Sequence, residues 1–196
     1  MPLLTGGGAG GLVVATDRGE VAAETLRVGD LVMTRDNGLQ RIRWIGTRRL
    51  EGEMLDAGNR LCPLRIAQGM LDGWLPEAEM RASPNQRILA PRDRSLIRFE
   101  EHEALVSAKH MVGCHAVPAA GCDDCAYWHP VFDRHEMILV NGAWCEAFHP
   151  GDTAVNGLGN AQRFEIYALF PELEALVAEA SALSPNAAVI RLPLWH

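Results

Sequence analysis

Positive charge is in short supply in this chain. Its 196 residues carry 18 Lys and Arg against 25 Asp and Glu, a net charge of −7 with histidine neutral. A general nucleic-acid binder needs a basic face to release phosphate counterions, so nucleic acid is not an expected partner. Long apolar runs are missing as well. No stretch approaches the roughly 18 residues of a membrane-spanning helix, so a membrane is not an expected partner either. The N-terminus, MPLLTGGGAGG, lacks the basic and apolar regions of a secretory signal. The expectation is a cytosolic protein, or one exported by a route this chain does not encode. Cysteines number only five, an odd count in a chain long enough to bury a core without staples, which suits a reduced compartment. The glycine-rich stretch TGGGAGG (5–11) has no strand before it and no helix after it, which argues against a phosphate-binding loop.

What is present is the balance of a folded protein, with 48% hydrophobic and 22% charged residues. After a flexible lead at 1–11, β signals dominate. LVVAT (12–16) is a β-branched run, and DLVMTR (30–35) and QRIRWIG (40–46) flank Asp36-Asn37-Gly38. Asn-Gly predicts the positive backbone φ angles of a type I′ hairpin turn. Within RIRWIG, Ile42, Trp44 and Gly46 fall on one face, and Arg41, Arg43 and Ile45 on the other. With Arg48 and Arg49, these arginines are expected to line a solvated strand face. Further strands are predicted at 63–67, 79–83, 86–90, 104–106, 126–132, 135–140 and 143–148, with Asn141-Gly142 as a second hairpin turn. Short, regular spacing without helical periodicity predicts an all-β domain over 12–152. From 153 to 196 the character changes. AQRFEIYALF and PELEALVAEASAL read as helices, Pro171 suits a first helical position, and Leu173, Leu176, Val177, Ala180 and Leu183 form a stripe expected to pack on the β domain.

Three stretches together resemble one family. GGLVVATDRGEVAAETLRVGDLVMTRDNGLQRIRWIG (10–46), ASPNQRILAP (82–91) and WHPVFDRHEMILVNGAWCEAFHPGD (128–152) look like the opening, second and closing blocks of Hedgehog/intein (Hint) domains, in particular their bacterial branch. The resemblance implies a twisted all-β horseshoe of short antiparallel strands. It also implies self-processing: a first-position Cys or Ser attacks the preceding carbonyl, a Thr or Ser in the second block polarises the amide, and a His three residues on protonates the departing nitrogen. An amide nitrogen is a poor leaving group, and imidazole is matched to protonating it near neutral pH.

Here two of those groups are absent. The nucleophile position falls at Gly7, and shifting by two residues offers only Thr5, a weak nucleophile. Ser83 stands where the family has Thr or Ser, but Gln86 stands where it has His. Glutamine can donate a hydrogen bond, yet it cannot transfer a proton at neutral pH. Asp133 and His135 survive in the closing block, where the family's aspartate assists the acyl shift. The plainer alternative is that Asp133 and Arg134 close a turn while His135 and Glu136 point to solvent. The resemblance thus implies a cleft lined by Thr5, Gly7, Ser83, Gln86, Asp133 and His135.

GCDDCAYWH (121–129) precedes the closing block. Cys122 and Cys125 have a spacing that lets two thiolates chelate one Zn²⁺ from a turn, and Cys114 with His129 would complete a closed Cys₃His site. The bland alternative is ordinary loop cysteines, and no other cofactor is expected. Cys62 and Cys145 read as core thiols, and the tryptophans, Trp44 and Trp144 among them, as β-core packing. The sequence therefore points first to a degenerate Hint-like domain, not an enzyme, acting as a binding or structural module for a protein or peptide segment. The alternatives are an active self-cleaving domain performing an N-to-S/O acyl shift and a zinc-stabilised structural module.

Overall fold

A computed structural model describes residues 3–5, 11–49, 60–71, 73–91, 103–112, 116–118, 126–147 and 160–183. The strands within them are β1 (Leu3–Thr5), β2 (Val13–Thr16), β3 (Gly19–Ala22), β4 (Leu31–Thr34), β5 (Gly38–Arg41), β6 (Trp44–Arg49), β7 (Leu64–Ile66), β8 (Met80–Ala82), β9 (Arg87–Pro91), β10 (Glu103–Ser107), β11 (Ala116–Pro118), β12 (Ala126–Val131), β13 (Glu136–Val140) and β14 (Ala143–Ala147). Two helices follow, α1 (Asn160–Leu169) and α2 (Pro171–Leu183). The architecture is all-β and antiparallel with a helical C-terminal part. One sheet runs β11-β7-β8-β1-β12-β6, and the other runs β10-β9-β14-β13-β2-β4-β5 with β3 on β2.

The two hairpin signals resolve differently. Asn141 and Gly142 take φ of 46° and 75°, the pair of positive values that a two-residue type I′ turn needs. Asn141 also fastens this turn to β2, because Val13 N–H donates to its Oδ1 at 2.7 Å. At the other turn Thr34 pairs with Gly38, so the loop has three residues and only Gly38 is left-handed, at 63°. Asn37 keeps an ordinary φ and spends its side chain on Glu136, with Nδ2 at 2.9 and 3.1 Å from the carboxylate oxygens. The expected type I′ geometry does not form there.

RIRWIG alternates as expected in burial, but it does not enter one core. The chain leaves the second sheet after Arg41 and joins the first at Trp44. Ile42 therefore packs in the main core with Val14, Val32, Trp128 and Ile138, whereas Trp44 packs in a second core. The arginines are not simply a solvated face. Arg43 binds Asp133, Arg41 donates to Gly29 O at 2.6 Å, and Arg48 reaches Leu169 O at the end of α1 at 3.5 Å. Within the stretch expected as a flexible lead, Leu3–Thr5 forms a central strand between β8 and β12, and Leu3 is buried.

The second core explains where the helices sit. β12 is buried on both faces: Trp128 enters the main core, while Tyr127 and Val131 face Ile166, Leu169, Phe170, Leu173 and Val177 of the helical part. The stripe thus packs on the β domain through Leu173 and Val177, as its spacing predicts. Phe170, in the one-residue break between the helices, lies edge-on to Trp44 with ring centres 5.6 Å apart and stacks on His129 at 6.4 Å. Gly46 is paired with His129 across the β12–β6 ladder. A Cβ on Gly46 would lie 2.7 Å from Phe170 Cε1 and collide with the Trp44 ring, so the residue must be glycine for the aromatic slot to close.

Gly46→Ala should overpack this slot at a cost of about 1–3 kcal/mol, and Phe170→Ala should empty it at about 3–5 kcal/mol. Denaturant midpoints check the totals. Hydrogen exchange checks the location, with α1 and α2 losing more protection than β13 and β14.

Candidate functional site

The second block turns between β8 and β9. Gln86 N–H donates to Ser83 O at 3.0 Å, and Ala108 N–H donates back to Gln86 O at 2.8 Å. The side chains of Ser83 and Gln86 are both fully buried. Gln86 Nε2 donates to Arg87 O at 2.8 Å and to Glu146 O at 3.0 Å. Its amide protons are spent on backbone carbonyls, so it acts as a buckle between β9 and β14.

The closing block is similarly occupied. Asp133 takes a two-pronged contact from Arg43, at 3.0 and 2.7 Å, which ties the bend after β12 to the start of β6. His135 does not point to solvent: its Nε2 lies 2.8 Å from Glu146 Oε1. Glu136 is buried beside Asn37, against the expectation that it faces water. Arg87 grips Glu146 through both Nε, at 2.8 Å, and Nη2. Burial alone would raise the Glu146 carboxyl, but the His135 and Arg87 hydrogen bonds outweigh it and hold the group below the ordinary glutamate value.

Gln86 and His135 share Glu146 as a neighbour, and Asp133 belongs to Arg43. Thr5 contributes backbone to β1, opposite Ala126. Because β1 is antiparallel to β8 with Leu3 opposite Ala82, the chain from Leu3 to Thr5 leads away from Ser83, by about 6.6 Å for two strand residues. Gly7, Cys114, Cys122 and Cys125 lie outside the described residues. His129, the remaining candidate ligand, is buried in β12 against Phe170. Cys62 and Cys145 are buried thiols, and burial pushes Cys145 up to about 12.

Ser83 instead faces a residue from the C-terminal part. Glu165 of α1 is buried, and Asn85 Nδ2 donates to its Oε2 at 2.5 Å. Lys109 Nζ donates to Asn85 Oδ1 at 2.6 Å and so polarises that amide. Burial raises the Glu165 carboxyl above its ordinary value, and the neighbouring Ser83 hydroxyl and Asn85 amide, with Lys109 beyond, offset part of the rise. The Ser83 hydroxyl is close enough to be felt. Even so, neither Ser83 Oγ nor Glu165 Oε1 reaches hydrogen-bond geometry with any group among the described residues. The same carboxyl helps raise the Tyr127 phenol, after burial as the main cause. Sequence reading passed over Glu165. The available signal was its spacing: it stands four residues before Leu169, on the apolar side of the helix.

The two glutamates predict opposite pH responses. Glu146, depressed in the folded state, contributes stability above the ordinary glutamate range that is lost as pH falls through its lowered value. Glu165, raised, contributes stability present below the ordinary range that is lost as pH rises through its raised value. Unfolding measured between acid and mildly alkaline pH should show Glu146→Gln weakening the fold near neutrality. Glu165→Gln should strengthen it there and flatten the alkaline limb.

Residues 9–152 match the model of the Hint domain. A solved structure described as the solution structure of a bacterial intein-like domain from Clostridium thermocellum is similar to the chain at 9% sequence identity and a TM-score of 0.45, covering 76% of this chain and 99% of that one. No curated protein matches. The matched span holds both blocks described above and stops before α1, so Glu165 is supplied from beyond it. With three-quarters of its length inside that model, the chain belongs to the Hint domain family.

Proposed function

We propose that this Hint domain no longer cleaves itself and works as a folded module that binds or presents a protein segment. The observation that carries the reading is Gln86. It occupies the position of the family's proton donor, has no proton to give at neutral pH, and commits its amide to Arg87 O and Glu146 O. Without protonation, the amine of a scissile peptide cannot depart at a useful rate. The surroundings support the same reading. Asp133 is paired with Arg43, and His135 is held on Glu146, so both residues of the closing block have a structural partner in place of a reacting one. Groups that act as a catalytic unit lose their effect together when one is removed.

The intact mass of the chain carrying an N-terminal extension before Met1 tests this. Full-length mass after long incubation with thiols is expected. A shortened chain cut at residues 5–7 would overturn it. Gly7→Cys alone is also expected to leave the chain whole, since a nucleophile without a proton donor stalls before the amine departs.

A further inference from the structure

The polar corner at the second block has an occupant, and it comes from this chain. Ser83 Oγ is fully buried with no hydrogen-bond partner among the described residues, Asn85 offers an amide donor, and Lys109 sits behind that amide. This donor set suits a carboxylate, and one is bound there: Glu165, the buried polar residue of the helical part among those described. Around it, α1 and α2 present an apolar set, Ile166, Leu169, Phe170, Leu173 and Val177, to the face of β12 and β6. The main core between the sheets includes no residue of α1 or α2. The β domain thus has a core complete without the helices, and the family span ends before them.

We propose that the Ser83–Asn85–Lys109 corner and the adjoining Trp44–Gly46–His129 slot form a binding site for an amphipathic helix bearing a carboxylate, and that α1–α2 is its intramolecular ligand. The recognised pattern is a glutamate followed five residues later by an aromatic ring, here Glu165 and Phe170. The carboxylate takes the Asn85 amide, and the ring enters the space left by Gly46. The helical pair is then a displaceable plug, and a second acidic amphipathic helix of this pattern would compete for the same corner. The inference deepens the reading of the domain as a binding module and names the chemistry of what it binds.

A specific protease site inserted between residues 153 and 158, outside the described residues, lets the folded full-length protein be nicked without removing any part. Exchange of the nicked helical segment is then followed with a fluorescent peptide of residues 160–183. The expected result is that the labelled peptide replaces the native segment while the β domain keeps its thermal transition. The same peptide carrying Glu165→Lys should compete about tenfold less well or worse, the loss expected when a charge-assisted hydrogen bond is removed. Three outcomes overturn the proposal: no exchange, unfolding of the β domain on release, or equal competition by the Glu165→Lys peptide. A peptide carrying Glu165→Gln provides the control for lost helix content, since it keeps the shape and an acceptor oxygen. A scrambled peptide of the same composition should not compete, and competition by it equal to that of the native peptide would also overturn the proposal. Self-cleavage reports separately, as a shortened chain before any protease is added, so failure of the two readings is distinguishable.

Discussion

The seating of the helical part on the β domain depends on β12 being buried on both faces. A strand in an antiparallel sheet commonly leaves one side wet. In β12 Trp128 closes the core between the sheets while Tyr127, His129 and Val131 lie on the opposite side, where the helices pack. Its ladder to β6 sets Gly46 opposite His129, and that missing side chain opens the slot for Phe170. The position of α1, and with it Glu165, follows from one close approach of an aromatic ring to a strand backbone.

A second constraint is electrostatic. Buried charges are tolerated when paired and hydrogen-bonded and are costly otherwise. Glu146 meets this with Arg87 and His135, and Asp133 with Arg43. Arg87 joins the second block to the closing block and Arg43 joins the opening block to it, so these side chains hold strands together.

Glu165 is held differently. It is buried with a neutral amide as its donor, as Glu136 is with Asn37, and Lys109 acts at one remove through Asn85. Such a contact specifies position while contributing modestly to stability. That combination suits a segment held in place but able to leave, and it contrasts with the Glu146 cluster, where removing either partner strands a buried charge.

Much of the architecture was legible in the chain itself. β-Branched runs, Asn141-Gly142, and the break in character near residue 150 specify antiparallel strands followed by helices, because local φ preferences and side-chain periodicity act within a few residues. The glycine at position 7 and the glutamine at position 86 are likewise facts of covalent identity. What tertiary structure alone decided concerns partners far apart in sequence. That Ile42 and Trp44 enter different cores depends on where the chain changes sheets. That Asn37 serves Glu136 in place of a type I′ turn depends on a residue 99 positions away. That Glu165 reaches Asn85 depends on Phe170 finding the space above Gly46. The sequence by itself determined the strands and the helices, since these are local properties. Only the folded molecule decided which groups meet, because burial and pairing are set by the packing of surfaces that no local pattern encodes.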